Sequence, residues 1–172
     1  MLAPATQVPE RIILNLTADT AHEMAVTWRS APGLAGKVQY AKATPGPDFV
    51  RTPMTLDATT DDATLAVQED PAFRAAYHSA VLTGLEPATV YAYRVGDGTR
   101  WSEWFQFRTA AERPEPFRFI YLGDMQNDVL SQASRTLRMA FRTAGNSAFV
   151  IHAGDLINRH SSDREWGEWF AA

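Results

Sequence analysis

Two short stretches carry residues that could do chemistry together. "FRFIYLGDMQND" begins at Phe117, and "AFVIHAGDLINRH" begins at Ala148. Each is an apolar run that ends in Gly-Asp and opens into a polar loop, which places Asp124 and Asp155 31 positions apart (155 minus 124). That separation suits one strand–helix–strand unit. In an open parallel sheet the loops at the carboxyl ends of the strands gather on one edge, where ligands bind. Glycine before each aspartate lets the backbone turn sharply and approach an ion closely. Two carboxylates on one edge repel unless a cation neutralises them. Two metal ions about 3.5–4 Å apart, sharing one bridging carboxylate and a water nucleophile, are a common hydrolytic device. The other reading of the same two residues is helix capping. Gly-Asp is also a frequent turn, and the Gly96–Gly98 part of "VGDG" reads as one, with no function.

The elements that must position these aspartates read as β-α-β-α. "FRFIYL" and "SAFVIHA" lack clean alternation, as expected of strands covered on both faces. The two strands should be parallel, with a right-handed crossover. From Asp128 to Ala144 the period is helical, with Leu130, Ala133, Leu137, Ala140, Phe141 and Ala144 on one stripe and Arg135, Arg138 and Arg142 opposite. Gly145 stands where a helix end favours a left-handed residue. Ser162 and Glu165 have capping-box spacing, so another helix starts there, with Trp166, Trp169 and Phe170 along it.

The preceding half has a different pattern. Short alternating runs ("RIILNLT", "EMAVTWRS", "GKVQYAK", "YHSAVLTGL", "EPATVYAYRV", "WSEWFQFRT") are separated by turn signals such as "APGLAG" and "ATPGPD". This predicts a β-sandwich over residues 1–109. "TAAERPEPF" supplies a linker over 110–116, and the α/β segment runs over 117–172. Trp101 and Trp104, three apart, should point to opposite faces of a regular strand, which makes no flat carbohydrate platform.

Composition narrows the functions. The chain has 172 residues, 45% apolar, with a net charge of −4. No basic footprint for nucleic acid is present, and no apolar run reaches the roughly 18 residues of a membrane span. Without cysteine, thiolate metal sites, disulfides and cysteine nucleophiles are excluded. "MLAPATQVPE" is not a signal peptide.

The pattern Leu85-x-Pro87-x-Thr89-x-Tyr91-x-Tyr93-Arg94-Val95 resembles the corner and F strand of fibronectin type III domains. Tyr91 is the candidate for the tyrosine that bonds back to the corner, and Trp28 for the buried B-strand tryptophan. Such a sandwich, a Pro-containing linker, then "FRFIYLGDMQ" and "FVIHAGDLINRHSSDREWGEWF", together resemble the purple acid phosphatases of the calcineurin-like metallophosphoesterase superfamily. That resemblance implies a site for two divalent or trivalent metal ions of the Fe, Zn or Mn type. It implies that Asp124 ligates the first ion and Asp155 bridges both. A phosphate ester substrate and a secreted or periplasmic location also follow from it.

The sequence departs from that family at two points. The tyrosine that gives purple acid phosphatases their colour would fall at position 158, which is Asn158. The histidine that many other members carry would fall at 126, which is Gln126. An amide oxygen from either residue toward the first metal is expected in their place, without a tyrosinate-to-iron absorption band. The Asn-His motif and later histidines of the family are absent from these residues. His22 and His78 lie in the sandwich half. His152 reads as a hydrogen-bonded support or core residue rather than a ligand. His160, on the loop, reads as a loop residue or a phosphate contact. No catalytic residue is therefore assigned within this chain, which alone is expected to be inactive and to bind metal incompletely. The α/β half should need the remainder of a catalytic domain, or a partner chain, over its apolar faces. A non-catalytic fibronectin-like binding module is the alternative reading.

Overall fold

A computed structural model describes residues 4–172, which divide into two compact units. One comprises Pro4–Thr64 with Arg74–Pro114, and the other Leu65–Phe73 with Glu115–Ala172.

The first unit is built on a sandwich of eight strands, β1 (Glu10–Asn15), β2 (Met24–Ser30), β3 (Lys37–Lys42), β4 (Met54–Asp57), β5 (Thr59–Val67), β6 (Asp70–Leu82), β7 (Val90–Gly96) and β8 (Phe105–Arg108), with the tip of the β5–β6 hairpin, Leu65–Phe73, falling in the second unit. Their orders are β1-β2-β6-β5 in one sheet and β4-β3-β7-β8 in the other. The alternation in β2 puts Met24, Val26 and Trp28 into the core, against Val38, Tyr40, Tyr91, Tyr93, Val95 and Phe107 of the facing sheet. Trp28 is 2% exposed and stacks on His78 at 5.0 Å. The predicted corner forms: the backbone N–H of Glu86 donates to Tyr91 Oη at 2.9 Å. Thr109 Oγ1 closes the same corner by donating to the Glu86 carbonyl at 2.6 Å.

Strands β4, β5 and the first half of β6 were not expected. β4 and β5 are almost wholly exposed and so carry no amphipathic signal, while the first half of β6 buries only Phe73, Ala75 and Ala76, after a proline. The expectation for Trp101 and Trp104 needs correction. The Arg94 guanidinium lies 4.7 Å from each ring, so both indoles flank one side chain. Trp101 pairs with Gly96 in an isolated bridge rather than a strand, and Trp104 precedes β8, so the strand parity rule does not apply across them. "VGDG" is an ordinary turn, in which Asp97 Oδ1 accepts from the N–H groups of Thr99 and Arg100 at 2.7 and 2.6 Å.

The second unit holds β9 (Ile120–Leu122), α1 (Ser134–Thr143), β10 (Val150–His152) and α2 (Asp163–Ala171). β9 and β10 are parallel, with Ile120 opposite Val150 and Leu122 opposite His152. A wide π-helical turn over Val129–Ala133 leads into α1. The turn changes the expected stripe. Val129 and Ala133 are buried with Met125 and pack on Leu122, Leu137 and Trp169, whereas Leu130 and Phe141 are exposed. A π turn closes i to i+5, so the row that meets the sheet shifts by one residue relative to a uniform helical period. Gly145 does not take the expected left-handed conformation. A Cβ there would lie 3.0 Å from the Phe141 carbonyl oxygen, so close approach rather than a positive φ accounts for glycine.

One face of the parallel pair is covered by the helices and the other is open. Tyr121 is 66% exposed and Phe117 65%, and Phe119 stacks on Phe149 at 5.4 Å beside them. Among the described residues, no helix is long and apolar enough to cross a membrane.

Candidate functional site

The two aspartates end up at the same end of adjacent strands. Beyond β9 and β10 the chains stay paired: Ala153 N–H donates to the Leu122 carbonyl at 2.7 Å, and Asp124 N–H to the Gly154 carbonyl at 3.3 Å. The two glycines serve different needs. A Cβ at Gly123 would meet Ala153 Cβ at 3.3 Å, so Gly123 permits the two turns to approach. Gly154 has open space around it but takes φ +94°, a conformation that L side chains rarely adopt.

Both aspartates are themselves left-handed, Asp124 at φ 55° and Asp155 at φ 50°. A non-glycine residue there costs about 1–2 kcal/mol. Arg11, Ala88 and Asp128 share the feature, so it does not by itself mark a site. What sets this pair apart is its repetition at the ends of two adjacent parallel strands. Both carboxylates are exposed, available to a ligand on that edge.

The amides bind the two loops to each other. Gln126 Nε2 donates to Asp124 Oδ1 at 3.2 Å. From the second loop, Asn158 Nδ2 donates to the Gln126 carbonyl at 2.9 Å and to Asn127 Oδ1 at 3.0 Å. Asp124, Gln126 and Asn158 are thus joined by side-chain bonds. Asp155 is joined to them through the backbone. Asn127 is a participant that sequence reasoning missed, although it sits within the same "GDMQND" loop.

The two candidate histidines make other contacts. His152 packs its ring against Trp169 at 5.1 Å, on the helix side of the sheet. Its Nδ1 is buried without a hydrogen-bond partner, and burial pushes its pKa below the usual histidine range. His160 is exposed, and its carbonyl accepts from Trp166 Nε1 at 2.9 Å, which holds the loop to α2.

As a donor set, two exposed carboxylates and neutral amides suit a hard cation. Among the described residues, no group of three or more His, Cys, Asp or Glu side chains is arranged to hold an ion. The residues fit part of a coordination sphere, and a four- to six-coordinate ion needs further donors.

Comparison with known proteins bears chiefly on the sandwich half. Residues 9–109 match the family described as purple acid phosphatase, N-terminal domain. The chain belongs to that family. Beyond the match, the chain is 29% identical over 156 residues to acid phosphatase type 7 of Danio rerio, covering 89% of this chain and 33% of that protein. It thus spans about a third of the relative's length. The solved structure of PhoD is similar in fold, with a TM-score of 0.53 at 22% identity, covering 90% of this chain and 28% of that one. The purple acid phosphatase match lies within the sandwich half, and the relative's alignment extends past it. The protein is therefore purple acid phosphatase-like, a member of a phosphatase family.

Proposed function

We propose that this chain is the N-terminal portion of a metal-dependent phosphoric ester hydrolase, with Asp124 and Asp155 contributing carboxylates to a binuclear metal site. The observation that carries this is the pairing of two left-handed Gly-Asp turns at the ends of β9 and β10. When bound, such ions would lower the pKa of a water so that it can attack phosphorus at neutral pH.

This chain's own residues would do three things. Asp124 and Asp155 present negative oxygens on one edge. Gln126 restrains the Asp124 carboxylate through its amide N–H. Asn158 fixes the first loop against the second. The remaining ligands, the group that protonates the leaving oxygen and the choice of ester come from outside these residues in this reading. The exposed face of Phe117, Tyr121 and Ile151 is proposed to lie under further catalytic-domain sequence or a partner chain.

The binding-module alternative gains nothing from the aromatic "WSEWF", because Arg94 occupies the space between the two indoles.

The test is hydrolysis of p-nitrophenyl phosphate and bis-p-nitrophenyl phosphate by the full-length protein, before and after chelation. Metal-restorable turnover of either ester is the expected outcome. Equal turnover with and without metal would reject the proposal.

A further inference from the structure

The tip of the β5–β6 hairpin leaves its sheet partners and joins the unit that contains α2. At that tip, Gln68 N–H donates to the Ser161 carbonyl at 2.8 Å. Its neighbour Glu69 binds the start of α2 with both carboxylate oxygens. Oε1 accepts from Ser162 Oγ, and Oε2 accepts from the Asp163 N–H at 3.0 Å. A carboxylate at a helix N-terminus meets unsatisfied N–H donors and the positive end of the helix dipole.

Ser162 is the hinge of this arrangement. It is 1% exposed and has one hydroxyl proton. Because that proton goes to Glu69, its lone pairs stay on the helix, where Ser162 Oγ accepts from Glu165 N–H at 3.2 Å. The reciprocal half of a capping box is not made. Instead, the Glu165 carboxylate reaches back along the loop and accepts from Arg159 N–H and Arg159 Nε, each at 2.8 Å. Burial raises the Glu165 carboxyl, but these bonds from Arg159 bring it below the usual range. Arg159 follows Asn158, whose amide holds the Asp124 loop. Hydrogen bonds thus run from the hairpin tip through Ser162 and Glu165 to Arg159, and the peptide link from Arg159 to Asn158 carries the path on to the loops bearing both aspartates.

We propose that Glu69 is a positioning residue for the Asp155 loop, acting through the N-terminus of α2. A residue of the turn between β5 and β6, within the same compact unit as α2, thereby sets the geometry of the candidate metal site. In its catalytic meaning this rests on the phosphoesterase reading. In its structural meaning it does not. Glu69 touches no candidate ligand and acts only through Ser162 and the backbone of Asp163.

The experiment uses the full-length protein with Glu69→Ala, Glu69→Gln, Ser162→Ala and the double variant. Glu86→Ala is the control, since the Glu86 side chain pairs with Lys42 in the sandwich. Three quantities are read: hydrogen exchange at Arg159, Asp163 and Glu165, the Mn²⁺ dissociation constant, and kcat and KM for p-nitrophenyl phosphate. Groups that orient metal ligands are typically worth 10–100-fold, so Glu69→Ala should weaken Mn²⁺ binding and lower kcat by about tenfold. KM should stay within about twofold, and exchange at the three amides should speed up. Glu69→Gln keeps an oxygen for one of the two donors and should recover part of each loss. The double variant should lose less than the sum of the two single losses, because both remove the Ser162–Glu69 bond, and should exceed Ser162→Ala only by the lost Asp163 N–H bond.

Unchanged exchange and unchanged Mn²⁺ affinity in a folded Glu69→Ala variant would overturn the proposal. So would a lowered melting temperature with kcat and Mn²⁺ affinity intact, since that describes docking alone. If Glu69→Ala does not fold, Glu69→Gln carries the same readouts. If the wild type neither binds Mn²⁺ nor hydrolyses the ester, the phosphoesterase reading falls, while the exchange data still decide the tether.

Discussion

The sandwich and the α/β unit bury their apolar side chains to different degrees. In the sandwich, Trp28, Val26, Val38, Leu82 and Val95 are essentially removed from water between two four-stranded sheets. In the α/β unit a two-stranded sheet has helices on one face, while Phe117, Tyr121 and Ile151 stand open on the other. Parallel sheets are ordinarily covered on both faces. A sheet that satisfies its own core can be recognised, folded and perturbed by itself. The unit that carries the candidate chemistry presents an apolar surface and an incomplete donor set on the same two strands.

This contrast predicts unequal responses to truncation. Trp28→Ala should cost about 3–5 kcal/mol, the usual range for a buried tryptophan. Phe117→Ala in the 172-residue chain should lie within about 0.5 kcal/mol of wild type, as for exposed positions. Chemical denaturation of the two variants checks both values. In a longer protein that covers the face, the Phe117 cost should rise toward that of a buried phenylalanine. An unchanged cost there would show that the face remains open.

Tyr91→Phe sharpens the sandwich side. It removes the acceptor of the Glu86 N–H while leaving the ring stack on Phe107 at 5.7 Å. A loss of about 1–2 kcal/mol is expected, since a half-buried donor is left unpaired. A loss below about 0.3 kcal/mol would mean that the corner bond adds little to the fold.

The smallest effect is a pH dependence. His78 is buried, with Nε2 2.7 Å from Ser30 Oγ and Nδ1 2.9 Å from Thr60 Oγ1. Burial holds its pKa below 6.5, against a weaker opposing pull from Asp62. The neutral ring is thus favoured in the folded state. Its contribution is present above pH 6.5 and is lost as the pH falls through the depressed folded value. In Thr, Ser and Trp surroundings that are otherwise unchanged, His78→Gln should flatten the stability–pH profile below pH 6.5. An identical acid slope in the variant would remove His78 as the cause.

Legibility in the sequence followed the same division. Alternation in β2 and β7 and the Leu-x-Pro-x-Thr-x-Tyr pattern exposed the sandwich, because half-buried strands write their burial into every second residue. Strands β4 and β5 left no such record, since neither of their faces is systematically buried. In the α/β unit, the Gly-Asp turns at Asp124 and Asp155 could be placed at two strand ends from the apolar runs before them, and Ser162 at a helix start from its spacing to Glu165. The shifted helical face could not be found, because one π turn moves the buried row without changing the residue types. Nor could Glu69 be found: its partners Ser162 and Asp163 lie more than ninety positions away, and an exposed glutamate in a hairpin turn has no distinguishing pattern.

The most direct test of the central claim is Mn²⁺ titration of the full-length protein, wild type against Asp155→Asn, with p-nitrophenyl phosphate turnover measured on the same samples. If Asp155 is a metal-holding carboxylate, the variant should lose at least about 100-fold in affinity and turnover, beyond what outlying positioning groups are worth, while keeping the wild-type melting temperature of the metal-free protein. Wild-type Mn²⁺ affinity and turnover in a folded Asp155→Asn variant would contradict the account.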